Sequence, residues 1–570
     1  MVSLPIFIIL IGVLVSISNL TTVPWNIEPT GQSMATLTDD TEVTFDNPSG
    51  ETLPAKGTYE VTERYITLNM TSDGNLTKES GARGKANADG VQAIKVLIRE
   101  PQNASGKRPG VVFMHGAGYG TCDNSFGDVA SGMASAGFVT AVLDKPVWNT
   151  TDINRDYPAS AKAYDQVIEY LRDQSDVDEA KVGIYATSES TWISSYLLED
   201  DPDVAFQILL SPMVFSPRQS LGFFVTQDFT LVGANEGYQS IVQRVFSADT
   251  GLFGLNNFDL ATLKPAAYAV PTYVAYGSKD VMTAQVDGVR AILYNAHKAD
   301  NWNVTVRSYP VANHVLRLGD ESEAGTPFAD AYVDDLIDWA VGTSAGLTQT
   351  SEKVAGTNLY QSIGLPGALK ARRVGTIYGV ILHVTVVLLL LASIVLALVA
   401  LGRKIAADAR WRREKREAKR AGMLIPERPV VLGFAHGFGN ALLTLTLTTL
   451  ATLLIFFAGL GQVIMGVVTL AWGGAPTETP GVMYWSWPVI QVVSVLVLWA
   501  WSRVFMHLIE AASVRGLIQI PPRRESVRDI VTGADPVLAS TRLGRILFWL
   551  VTFTMLYILL VFAFWGLFIY

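Results

Sequence analysis

The chain predicts an α/β domain on a doubly wound, mostly parallel sheet with a cap insertion, followed by a C-terminal α-helical transmembrane bundle. Three observations carry this. Short apolar strands alternate with amphipathic helical segments through the middle of the 570 residues. Strands covered on both faces read as such continuous hydrophobic runs. After about Gly375 the chain is dominated by apolar runs of spanning length, roughly 18 residues or more. The net charge of −9 is split: residues 403–428 carry +6 and residues 513–545 carry +3, so the remainder is strongly acidic. An acidic body with two basic loops beside apolar spans points to membrane topology and away from nucleic acid.

The elements follow in order. "LPIFIILIGVLVSISN" opens the chain. Its apolar run is short for a span, so residues 1–20 read as a signal peptide or as an N-terminal anchor helix. Both place the next residues outside the cytoplasm. From about Tyr59, "YITLNM", "AIKVLIRE" and "PGVVFMHG" read as strands, "DVASGMASAGF" as a helix and "VTAVLD" as a strand. "ASAKAYDQVIEYLRDQ" is an amphipathic helix with Ala163, Val167, Ile168 and Leu171 on one face. "KVGIYA", "FQILLSP", "PTYVAYGSKD" and "NVTVRSYPVANH" complete the sheet. Right-handed crossovers gather the strand C-termini on one edge, where sites form. Cys122 is the only cysteine, so no intramolecular disulfide supports the fold.

That edge carries the chemistry. In "KVGIYATSESTWI" a strand runs straight into Thr187, Ser188 and Glu189, and a helical segment follows. A nucleophile on so tight a turn needs small residues two before and two after it. Ala186 and Ser190 fill those places, giving A-x-S-x-S where G-x-S-x-G is usual. "FMHGAGYG" follows the strand ending at Met114, and its backbone N–H groups at Ala117 and Gly118 are candidate oxyanion donors, with the N–H of Glu189 beside them. His115 in that turn reads as structural. Asp280 in "AYGSKDVMT" stands just past a strand end, placed to orient an imidazole, and His314 in "YPVANHVL" follows the last strand. Serine, acid and histidine occur in the order expected of this architecture.

These segments resemble the α/β-hydrolase superfamily over roughly residues 59–341. "HGAG", "YATSESTWI", "GSKD" and "ANH" carry the likeness. It is similar to dienelactone-hydrolase-like and acyl-peptidase-like bacterial members, and "NRDYPASAKAYDQVIEYL" before the elbow resembles membrane-attached actinobacterial hydrolases. The resemblance implies a Ser188–His314–Asp280 triad, an acyl-enzyme on Ser188, and neither cofactor nor metal.

Residues 21–345 are therefore expected to form an extracytoplasmic hydrolase domain. Residues 213–270 are too long for a plain connection and are expected to cap the site. Trp148, Trp192, Phe223 and Phe224 are the expected pocket walls. Residues 346–374 read as linker, and residues 375–570 as four spans starting near Ile377, Ala441, Trp487 and Ile546. The positive-inside rule puts loops 403–428 and 513–545 in the cytoplasm. Six N-x-[ST] sites, at Asn19, Asn69, Asn75, Asn103, Asn149 and Asn303, all precede the spans. The expectation is a multi-pass cell-membrane serine hydrolase cleaving an ester of an envelope lipid or acylated glycan. Its rivals are an acyltransferase using an alcohol acceptor, a peptidase, and a non-catalytic membrane scaffold or transport component.

Overall fold

The computed structural model describes residues 3–23, 25, 29–71, 91–118, 120–146, 155–319, 325–435, 437–471, 474–475, 480–514 and 538–569. Trp148, Asn75, Asn149 and most of the loop 513–545 lie outside the described residues.

The central sheet has nine strands. They are β1 (Val61–Thr71), β2 (Val91–Pro101), β3 (Arg108–Met114), β4 (Val139–Leu143), β5 (Val177–Thr187), β6 (Gln207–Leu210), β7 (Thr272–Gly277), β8 (Val304–Tyr309) and β9 (Val354–Gly356). Their order across the sheet is β1-β2-β4-β3-β5-β6-β7-β8-β9. β1 pairs antiparallel with β2, and β2 antiparallel with β4; every other pairing is parallel. The parallel strands are the continuous apolar runs of the sequence. β4, β6, β7 and β8 are buried at every position.

Helices cover both faces, as such strands require. They are α2 (Gly127–Ser135), α3 (Tyr157–Arg172), α4 (Ser190–Asp200), α7 (Gln285–Lys298) and α8 (Tyr332–Ser344); an apolar helix α1 (Ser3–Leu20) precedes them all. Between β6 and β7 lie α5 (Pro217–Leu231) and α6 (Glu236–Phe246). The C-terminal region holds α9 (Arg373–Ala421), α10 (Phe438–Ala471), α11 (Val482–Val514) and α12 (Arg542–Phe564), all four long and apolar enough to cross a membrane. Residues 430–472 are long for one span, yet among the described residues they contain a single helix, α10, approached by non-helical chain.

Two expectations are corrected here. The stretch 346–374 is woven into the fold. Val354–Gly356 adds the edge strand β9 beside β8, and Leu359–Ile363 pairs antiparallel with Pro29–Met34. A three-residue strand between polar residues leaves almost no periodic signal. The insertion 213–270, expected as a cap, docks onto the C-terminal helices. Phe229, Val232, Tyr238, Ile241 and Val242 share one buried cluster with Val463, Val467, Trp487 and Ile490. Tyr238 and Ser486 are hydrogen-bonded at 2.8 Å. α1 joins the same cluster through Leu14, and the Ser18 hydroxyl donates to the Ala563 carbonyl.

Candidate active site

Ser188 sits between β5 and α4 with a φ of 51°. A non-glycine residue in the left-handed region is strained, and such strain persists where the surroundings over-determine it. Here the Ser188 N–H donates to the Leu210 carbonyl at the end of β6, at 2.9 Å. Ser190 supplies the second restraint. Its buried hydroxyl accepts from the Thr187 N–H at 2.8 Å and lies 2.9 Å from the carbonyls of both Met114 and Thr187. The serine in the usual glycine position thus laces the elbow to the end of β3. Gly116 is equally constrained: a Cβ there would lie 3.3 Å from the Thr187 carbonyl oxygen and 3.4 Å from the Ser188 Cβ.

The structure brings the three sequence-predicted side chains together. His314 Nε2 lies 2.8 Å from Ser188 Oγ, and His314 Nδ1 lies 3.0 Å from Asp280 Oδ1. Asp280 is buried and further held by the Met282 N–H at 2.8 Å and the Thr283 hydroxyl at 2.5 Å. Burial by itself would raise the Asp280 carboxyl. The attraction of His314, with the bonds from His314, Thr283 and Met282, outweighs it and holds the carboxyl below its ordinary range. Gly277, the last residue of β7, leaves no room for a side chain: a Cβ there would collide with the backbone of Ala312 and Asn313, the loop that delivers His314.

A cavity of about 340 Å³ opens at Ser188. Gly116, Ala117, Gly118 and Phe126 line it on one side, with Met282, His314 and Val315 on another. Apart from His115 and His314, its described lining contains no ionisable residue. His115 is structural: its Nε2 meets the Leu143 carbonyl at 2.5 Å, and burial pulls its pKa down to about 4. Burial pushes the Cys122 thiol up to about 12, which leaves it inert.

Of the expected pocket walls, Trp192, Phe223 and Phe224 do not line this cavity, and Trp148 lies outside the described residues. Trp192 is buried in the core, packs at a tilt against Tyr157 and donates to the Phe215 carbonyl at 2.7 Å. Phe223 is fully buried beside Ala284 and Ile363, and neither it nor Phe224 lines the cavity. Among the described residues, no lining residue comes from 213–270. Sequence reasoning took aromatic content as a pocket signal, and the aromatic residues were spent on packing. It also missed Lys145 and Arg155. Both reach the buried Glu189 carboxylate, Lys145 at 3.0 Å and Arg155 at 3.1 Å. Nothing in the spacing 145, 155, 189 signals this contact.

No family model matches the chain, and no curated protein matches it in sequence. Solved structures resemble it in fold, at low identity. A Bacteroides ovatus protein named for dipeptidyl aminopeptidase IV is 13% identical, with a TM-score of 0.34 over 53% of this chain and 37% of that one. The chain thus spans well under half the length of that relative. A bacterial heroin esterase is 16% identical, with a TM-score of 0.34 over 50% of this chain and 85% of that one. A Klebsiella pneumoniae protein named for dienelactone hydrolase is 12% identical, with a TM-score of 0.30 over 49% of this chain and 95% of that one. The fold rests on this chain's own features: parallel crossovers on both faces, one strand, β2, paired antiparallel to both its neighbours near one edge, and a positive-φ serine where β5 meets α4. By those features the sheet-forming part of the chain is an α/β-hydrolase fold, followed by four helices long and apolar enough to cross a membrane.

Proposed function

We propose that the protein is a membrane-anchored serine hydrolase that cleaves an acyl ester through Ser188, His314 and Asp280. The observation that carries this is the continuous relay from Ser188 Oγ to His314 to Asp280, at 2.8 and 3.0 Å, on a strained elbow. His314 Nε2 takes the hydroxyl proton as Ser188 Oγ attacks the carbonyl carbon, then returns a proton to the departing alcohol. Asp280 orients the ring and stabilises the imidazolium. The backbone N–H groups of Ala117 and Glu189, with that of Gly118 beside them, receive the oxyanion. Water then attacks the acyl-enzyme with His314 again as base.

The lining supports an uncharged acyl group over a peptide. Recognising a charged side chain or a chain terminus calls for an opposite charge, and the described walls offer none. An ester of an envelope lipid or acylated glycan fits a site carried next to membrane helices. Placement of the catalytic domain outside the cytoplasm rests on charge and packing together. The insertion touches α10 and α11 at Gly459, Gly466 and Trp487. The basic segment 403–428 and the Phe434–Ala539 bridge lie at the other end of the helices. Positive-inside logic makes that other end cytoplasmic.

The test is labelling with a fluorophosphonate probe. Wild type is expected to label and Ser188→Ala to stay dark. Equal labelling of both would remove Ser188 as the nucleophile.

A further inference from the structure

We propose that Lys145 is a positioning residue that sets the oxyanion donors; this rests on the serine-hydrolase reading above. Lys145 follows β4 and its side chain is buried. Its ammonium donates to the Gly116 carbonyl, to the Gly118 carbonyl at 3.0 Å and to Glu189 Oε2 at 3.0 Å. Arg155 holds the other carboxylate oxygen of Glu189 at 3.1 Å.

The consequence follows from peptide geometry. In a planar trans peptide the carbonyl and the next N–H point in opposite directions. Fixing the Gly116 carbonyl toward Lys145 therefore aims the Ala117 N–H away from Lys145. Gly116 and Ala117 both line the cavity at Ser188. Glu189 is the residue whose N–H supplies the facing donor. One ammonium is thus tied to the peptide of the first donor and to the side chain of the second. Neither donor's residue can turn without breaking a bond to a buried charge.

The charges are arranged to make this lasting. A buried ammonium needs a partner, and a buried carboxylate needs its lone pairs filled. Glu189 neutralises Lys145, and Arg155 adds a second cation 3.1 Å from Glu189 Oε1. Without Lys145, the Gly116 carbonyl loses its donor and its peptide is released to rotate. A rotated peptide turns a carbonyl oxygen toward the place where negative charge develops.

The test uses the full-length protein in detergent micelles, with p-nitrophenyl butyrate as ester probe and phenylboronic acid as tetrahedral mimic. Lys145→Met is expected to lower kcat by about 100- to 1000-fold, the loss typical of one oxyanion donor, with KM within about threefold of wild type. Phenylboronic acid, whose adduct with Ser188 Oγ occupies the same donors, is expected to weaken by a similar factor. Lys145→Gln returns a neutral donor and is expected to recover about tenfold of the lost kcat. A purely structural lysine would lower thermal stability without separating boronate affinity from KM. The positioning role is overturned if Lys145→Met keeps kcat, or if its loss falls in KM while boronate affinity is unchanged. Should Lys145→Met lose its thermal transition, Lys145→Gln decides by the same comparison. Turnover that survives Ser188→Ala would sink the serine-hydrolase reading itself; Ser188-dependent turnover indifferent to Lys145 would sink only this proposal.

Discussion

Asp228 offers the sharpest stability prediction. It lies on α5, fully buried, and neither carboxylate oxygen has a hydrogen-bond partner. Burial, with the nearby charge of Asp280 adding to it, pushes its pKa from 3.8 up to about 9. The folded protein therefore keeps this proton up to about pH 9, while the unfolded chain gives it up near 4. Across that window the unfolded state binds fewer protons, so stability falls as pH rises, by about 1.4 kcal/mol per pH unit. By pH 7 the accumulated loss relative to the acid limit is about 4 kcal/mol. Asp228→Asn keeps the shape and removes the titration, so the variant should gain on wild type steadily between pH 5 and 8. For a domain of this size, unfolding entropy converts that slope to about 2 °C in thermal midpoint per pH unit. The assay is a pair of melting curves at each pH, because groups shared by both proteins cancel in the difference. A difference that stays flat from pH 5 to 8, or shrinks, would refute an uncompensated buried carboxyl at this position.

Other outcomes follow from the same contacts. Asp280→Asn should leave the fold intact and lower kcat on an ester probe by about 10⁴-fold, because the amide holds the wrong histidine tautomer; steady-state kinetics beside a melting curve checks this. Ser190→Ala removes the hydroxyl that satisfies Thr187 N–H; it should cost about 1–3 kcal/mol, read as a lower thermal midpoint. Gly237→Ala drives a methyl into the Trp487 indole. It should destabilise the dock by about 1–3 kcal/mol and speed proteolysis within residues 213–270.

Legibility in the sequence tracks the kind of signal each feature leaves. The parallel strands are short buried runs, visible by composition alone. Ser188, Asp280 and His314 each stand one loop beyond such a run, so chain order and strand ends sufficed to single out the three side chains that hydrogen bonds join. The departure at Ser190 was visible, but its compensation was not, since that depends on the Met114 carbonyl, 76 residues away. Lys145 is harder still. A lysine after a strand is ordinarily a solvated end, and only the fold brings it under Gly116 and beside Glu189. β9 was lost because three residues carry no period. Trp192 and Phe223 were misplaced because aromatic composition does not say which face a side chain takes.

The insertion gives the C-terminal helices a packing partner in the sheet-forming part of the chain. An insertion with so many aromatic and aliphatic residues must bury them somewhere, and the choice lies between a substrate and a partner element. Here Phe229, Val232, Tyr238, Ile241 and Val242 are buried against α10 and α11, so packing accounts for them without a substrate. The same helix that carries Phe229 carries Gln227, whose amide donates to the Val281 carbonyl at 2.8 Å, one residue from Asp280. Asp228 stands between those two residues and feels the charge of Asp280. α5 therefore has one face against the bundle and another against the loop that orients His314. A shift of α10 would have to move α5 or break its contacts, and α5 also holds the Val281 carbonyl, beside the acid of the relay. α5 thus links α10 to the loop that carries Asp280.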